Sequence, residues 1–314
     1  MPAAAIILLC IVLSLLLILI AISFYFFSVG IVRKQKKYVV NSPDVAVDLF
    51  EELAIPHLAW LETQPLEDLE MKSHDGLLLH GYYLAASAPT NKTVVLAHGY
   101  GGRAKRDVVS FARMYHERFD FNVLMVDDRG HGESEGKYIG FGWLDRLDYL
   151  KWIHYALQRT GQDAQIVLHG ISMGGATVLM VSGEQLPEQV KCIVSDCAYT
   201  SVTDILSHQL KSMYKLPPFP LLPLTSLVCK LRAGYFFGEA SALQQVRKNT
   251  RPVLFIHGTD DMFVPTEMVH HLYEACTTYK EKVLVPGAGH GLAYNVDKAG
   301  YRQRVGDFVQ QFVS

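Results

Sequence analysis

The chain has 314 residues, with 29 Lys and Arg against 31 Asp and Glu and a formal net charge of −2. So even a balance excludes the strongly positive face that a nucleic-acid binder needs, and it points to no highly charged polymer as partner. Five cysteines with no C-x-x-C pair, and thirteen histidines with no H-x-x-x-H or H-E-x-x-H pattern, predict no metal and no other cofactor.

Residues 3–32 carry no charge and are dominated by Ile, Leu, Val and Phe. About 20 apolar residues span a bilayer, so the run is long enough even when tilted. Arg33, Lys34, Lys36 and Lys37 follow at once, and no Lys or Arg precedes the run. The positive-inside bias then places everything downstream in the cytoplasm, where free thiols are stable. A cleaved signal peptide would want a basic start and a shorter apolar core; Ser28-Val29-Gly30 is only a weak cleavage pattern. The expectation is a single-pass anchor over 1–32, a basic juxtamembrane segment and linker helix over 33–65, and one large domain over 66–314. Ser42-Pro43-Asp44 is a helix start, with a preferred cap and Pro in the first turn, and predicts a helix through about Leu53.

Apolar runs on either side of His74-Asp75-Gly76 read as an antiparallel hairpin that opens a sheet. Beyond it, strand and helix patterns alternate, which argues a mainly parallel sheet covered on both faces. The strand Thr93-Val94-Val95-Leu96-Ala97 ends in His98-Gly99-Tyr100-Gly101-Gly102. The strand Gln165-Ile166-Val167-Leu168 runs into Gly170-Ile171-Ser172-Met173-Gly174 and then a small-residue helix start. Strand, G-x-S-x-G, helix is the context of a nucleophile elbow, in which a strained turn lifts the serine hydroxyl above the sheet edge. Glycines at 170 and 174 leave room for the helix to pack back on the strand. Ser172 is therefore the candidate nucleophile.

Its partners come from later strand ends. Lys191-Cys192-Ile193-Val194 is followed by Asp196. Residues 200–248 hold no strand pattern but two helical stretches, 201–214 and 224–231, around a proline-rich turn; this is a short apolar lid. Pro252-Val253-Leu254-Phe255-Ile256 is a continuous apolar run, as in a buried parallel strand, and leads into His257-Gly258-Thr259-Asp260-Asp261-Met262-Phe263-Val264-Pro265. Lys282-Val283-Leu284-Val285 precedes a Gly-rich loop with His290. His290 is the candidate general base, taking the Ser172 proton on attack and returning it to the leaving group. The acid that orients it is expected at Asp261; Asp260 as a turn residue and Asp196 as a loop anchor are the competing carboxylates. Oxyanion donors are expected from the backbone N–H groups of Met173 and Tyr100.

This ordered set, together with Asp128-Arg129-Gly130-His131-Gly132-Glu133-Ser134, resembles the α/β-hydrolase superfamily, and more closely its serine-aminopeptidase-like and esterase branch, which includes bacterial hydrolases with an N-terminal membrane segment. The resemblance runs from about Leu66 to the C-terminus. It implies an α/β-hydrolase fold with a mostly parallel eight-stranded sheet, a triad of Ser172, Asp261 and His290, and oxyanion amides at Tyr100 and Met173. The Asp128–Ser134 segment is read as structural: Arg129 and Glu133 tie loops together and His131 packs in the loop. Three functions follow from the residues. The leading one is a membrane-anchored serine hydrolase acting on small or lipophilic carboxylic esters. The second is an aminopeptidase-like enzyme, which requires acids such as Asp196, Asp204 and Glu239 to converge on a substrate amine. The third is a non-catalytic binding fold, disfavoured because nucleophile, acid, base and His-Gly-Tyr-Gly-Gly loop are all present. No segment specifies an oligomeric state.

Overall fold

The structure, a computed structural model, describes residues 3–34, Asp44 and residues 47–314. The predicted helix start at Ser42 and Pro43, and the cations Lys36 and Lys37, lie outside the described residues. Helix α1 (Ala3–Gly30) comes first, then α2 (Val47–Leu61) and the strands β1 (Glu67–Lys72) and β2 (Leu78–Leu84). Strand β3 (Lys92–Ala97) leads to α3 (Ala104–Asp107) and α4 (Val109–Phe119), β4 (Asn122–Val126) to α5 (Asp145–Thr160), and β5 (Gln165–Ile171) to α6 (Met173–Ser182). Strand β6 (Val190–Asp196) is followed by α7 (Val202–Tyr214), α8 (Leu221–Ala233) and α9 (Ala242–Val246), then β7 (Val253–Gly258) and α10 (Glu267–Ala275). Strand β8 (Lys280–Val285), α11 (Ala293–Val296) and α12 (Lys298–Gln310) close the chain.

The eight strands form one sheet in the order β1-β2-β4-β3-β5-β6-β7-β8. Only β2 runs antiparallel to its neighbours β1 and β4; the remaining pairs are parallel. The chain builds outward from β3 to β4 and then returns to lay β5 on the other side of β3. Such a reversal leaves a crevice at the carboxyl ends of the strands, the usual ligand position in an open α/β sheet.

Both faces of the sheet are dry because strand side chains alternate. In β3, Val95 and Ala97 join Leu168, Ile193 and Phe255 on one face, under Trp152 of α5 and Leu179 of α6. Val94 and Leu96 join Val167, Val194 and Leu254 on the other, under Phe111 and Tyr115 of α4 and Tyr301 and Phe308 of α12.

Two elements depart from the sequence reading. Helix α2 continues past Leu53 and through Pro56 to Leu61. An interior proline removes a hydrogen bond and costs roughly 3 kcal/mol, but Ala54, His57 and Leu61 are buried at helical spacing, and tertiary packing of one face outweighs local propensity. The lid also has a third helix, α9, capped by Ser241, whose hydroxyl accepts from Gln244 N–H.

Candidate active site

Strand β5 delivers Ser172 on a turn with φ 57° and ψ −118°, a backbone geometry that costs a non-glycine residue of order 1–3 kcal/mol. The turn is as tight as the glycine pair implies: a Cβ on Gly170 would stand 2.1 Å from the Gly174 carbonyl oxygen, and one on Gly174 2.1 Å from that of Ala97. The Ser172 N–H donates to the Asp196 carbonyl at 2.8 Å and fixes the turn to β6.

From the end of β8, His290 brings Nε2 to 2.8 Å from Ser172 Oγ. Its Nδ1 lies 2.8 Å from Asp261 Oδ2, beyond the end of β7. The other carboxylate oxygen, Oδ1, accepts from the N–H groups of Phe263 and Val264 at 3.1 and 2.8 Å. His257 adds a second imidazole: its Nε2 is 2.8 Å from the Val264 carbonyl and 3.2 Å from Asp261 Oδ2. Burial works against ionisation of Asp261, but the charge of His290, then hydrogen bonds from His257 and His290, more than offset it and hold the carboxyl well below the ordinary range. A carboxylate kept ionised in this way can hold one tautomer of His290 and stabilise its imidazolium.

The competing aspartates sit elsewhere. Asp260 is exposed and its carboxylate accepts from the Thr259 hydroxyl. Asp196 is buried and accepts from the Tyr301 hydroxyl at 2.9 Å; burial pushes its carboxyl up to about 6. The acids expected to grip a peptide amine, Asp196, Asp204 and Glu239, do not meet at Ser172; the cavity there is instead lined by Asp107, which accepts from Arg106 Nε at 2.6 Å. Asp204, in the first turn of α7, accepts from the hydroxyls of Thr200 and Ser201, the latter the cap of that helix, and Glu239 pairs with Lys230.

The loop after β3 crosses Ser172, with the Cβ position of Gly99 3.5 Å from the serine Cβ. His131 holds that loop, its Nε2 accepting from Gly101 N–H at 3.1 Å. Met173 is the first residue of α6, so its N–H is among those with no acceptor inside the helix. Arg129 ties the β1–β2 turn to α5 by ion pairs with Asp75 at 2.9 Å and Asp148 at 2.6 Å. Glu133 does not share that work: it is exposed, and the neighbouring Glu135 supplies the carboxylate that accepts from Leu78 N–H.

A cavity of about 90 Å³ opens over Ser172 and His290, walled by Tyr100, Ile171 and Phe263, by the Arg106–Asp107 pair of α3 and, from α2, by Phe50. Phe50, His257 and Gly30 at the end of α1, whose carbonyl accepts from the Tyr100 hydroxyl at 2.6 Å, were not anticipated as site residues. His257 had a signal, since it stands four residues before Asp261. Phe50 and Gly30 had none, because their contacts cross most of the fold. Cys197, just past β6, also approaches: its Sγ lies within 4.8 Å of ligand atoms of Asp261 and His290.

This fold and these strand-end loops are those of a known class. Residues 92–229 match the model of the alpha/beta hydrolase fold family. The chain is 31% identical over 236 residues to YqkD of Bacillus subtilis, covering 74% of this chain and 76% of that one. It is 28% identical over 254 residues to YfhR of Escherichia coli K12 (77% and 80% covered) and 22% identical over 249 to bem46 of Schizosaccharomyces pombe (78% and 77%). Among solved structures, the Pyrococcus furiosus esterase Pf2001 superposes with a TM-score of 0.65 at 24% identity, covering 80% of this chain and 92% of that one. Est1E of Butyrivibrio proteoclasticus, solved with ferulic acid bound, gives 0.61 at 19% identity, covering 78% and 99%. The chain belongs to the α/β-hydrolase family.

Proposed function

We propose that this chain is a membrane-anchored serine hydrolase that cleaves carboxylic esters through an acyl-Ser172 intermediate. The observation that carries this reading is the unbroken line Ser172 Oγ, His290, Asp261, with both hydrogen bonds at 2.8 Å. In the reaction, His290 Nε2 takes the Ser172 proton as Oγ bonds to the ester carbonyl carbon. The tetrahedral oxyanion is met by the N–H groups of Met173 and Tyr100. The C–O bond to the alcohol then breaks, and the alcohol leaves with the proton from His290. Water, deprotonated by the same imidazole, attacks the acyl-serine, and collapse returns the acid and free Ser172. Asp261 keeps Nδ1 protonated and offsets the imidazolium charge at each step.

Esters are favoured over peptides because Asp196, Asp204 and Glu239 are engaged elsewhere and Asp107, which lines the pocket, is paired with Arg106, while the walls Phe50, Ile171 and Phe263 are apolar. The likeness to the esterase Pf2001 and to an acetyl xylan esterase of Thermoanaerobacterium supports the same choice. Helix α1, with 28 residues of mean hydropathy 3.5 over its best window, supports a single-pass anchor, and Arg33 and Lys34 at its end support a cytoplasmic domain. The test is fluorophosphonate labelling of the full chain in detergent beside Ser172→Ala. We expect labelling of the former only. An unlabelled, folded wild type would contradict the reading.

A further inference from the structure

Helix α1 has 28 residues, about 42 Å at the α-helical rise, which exceeds a hydrocarbon core of about 30 Å. The excess is accounted for by the fold. Residues 3–22 expose their side chains, with Leu19 alone partly covered. From Ser23 on, the helix packs on protein: Ser23, Phe27 and Gly30 are buried, at a spacing that puts them on one face. This face meets the lid. The Phe26 ring stands 5.0 Å from that of Tyr214 at the end of α7, and α1 packs beside α8.

The chain just after the helix is locked down by backbone bonds. The Ile31 carbonyl accepts from Ile139 N–H at 2.8 Å, and Arg33 N–H donates to the Lys137 carbonyl at 2.9 Å. The Arg33 guanidinium donates to the carbonyls of Ser134 and Gly132 at 2.5 and 2.6 Å. The anchor is therefore joined rigidly to the domain, with the lid beside the point where the span ends.

The lid is also where the domain leaves apolar surface uncovered. Leu216, Phe219, Leu227, Leu231 and Phe236 are all exposed, Phe219 and Leu231 to 77% and 76%. Lys211, Lys215 and Arg232 are exposed among them. Large apolar side chains interleaved with long cations suit the boundary between lipid headgroups and acyl chains: the rings and branched chains enter, and the cations reach the phosphates.

We propose that the outer face of the lid, carrying Phe219 and Leu231, is a bilayer-contact surface continuous with the anchor, so that the domain rests lid-down on the membrane and takes its ester from the lipid layer. The proposal rests on the anchored reading above. Continuity with a span of bilayer length selects the bilayer as the occupant over a second copy of the chain.

The experiment uses the full chain in a Cys10→Ser background, reconstituted in phosphatidylcholine vesicles with a fifth, roughly, of phosphatidylglycerol. An environment-sensitive NBD probe is attached after Phe219→Cys or Leu231→Cys, or after Tyr279→Cys, an exposed site at the start of β8, away from the strand ends that carry the catalytic loops. The lid probes are expected to shift to the blue and to be quenched by doxyl-labelled lipid several-fold more than the Tyr279 probe. Lid probes that behave like the Tyr279 probe in a chain that floats with the vesicles would overturn the proposal and leave the anchor reading standing. A chain that does not float would overturn both. Quenching between lid probes on two chains, without lipid quenching, would replace the bilayer by a second copy.

Discussion

The elbow at the end of β5 and the 200–248 lid segment are opposites in construction. Around Ser172 every position is constrained from several sides: two glycines against backbone oxygens, a serine at φ 57°, and a carboxylate with two amide donors and two imidazoles. Where the lid meets α1 the contacts are mainly apolar, and large side chains on the outside of the lid are left in the open. Chemistry needs atoms fixed to within about half an ångström; contact with lipid needs only area and a fringe of charge. Substitutions should therefore act sharply in the first region and gently in the second.

The sharpest break is at the nucleophile. Ser172→Ala is expected to lower hydrolysis of p-nitrophenyl esters by on the order of 10⁶-fold with unchanged thermal unfolding. Next comes the acid. Asp261→Asn should cost about 10⁴-fold in kcat by stranding the wrong tautomer of His290, whereas Asp260→Asn, at an exposed turn, should leave steady-state kinetics within about twofold. The reverse ranking would refute the acid assignment.

Stability tests the same contrast. Gly174→Ala puts a methyl carbon 2.1 Å from the Ala97 oxygen, and a displaced elbow should cost about 3 kcal/mol or more in denaturant unfolding. A pH effect comes from His169, whose ring is stacked on Phe111 and lies within hydrogen-bond distance of the hydroxyls of Tyr115 and Tyr301. Burial lowers it from 6.5 to about 3. Because the folded value is the lower one, its contribution is complete above pH 6.5 and is lost as pH falls toward 3, by up to about 1.4 kcal/mol per pH unit. His169→Gln should remove that slope from unfolding curves measured between those limits. The mildest change is expected at the lid: Phe219→Asp with Leu231→Asp should leave soluble aryl-ester turnover within about twofold while weakening hydrolysis of a vesicle-borne ester.

The same division explains what could be read from the chain. Ser172, His290 and Asp261 were legible because each follows a recognisable apolar strand and sits in a loop whose residue types have few other uses. The helix that runs through Pro56 was not, because local propensity stops it and only burial of Ala54, His57 and Leu61 carries it on. The docked face of α1 was invisible for a different reason. When every residue of a helix is apolar, the side that meets protein carries the same signal as the side left exposed. Glu133 and Glu135 stand two apart in one loop, and only the backbone bond from Glu135 N–H to the Leu78 carbonyl decides which carboxylate meets Leu78 N–H.

The most direct test of the account is to quench the wild-type chain in acid during turnover of a p-nitrophenyl ester, digest it, and locate the acyl group by mass spectrometry. The account predicts acylation on the peptide containing Ser172, absent from Ser172→Ala. Steady turnover by that variant, or an acyl group carried on another residue, would contradict it.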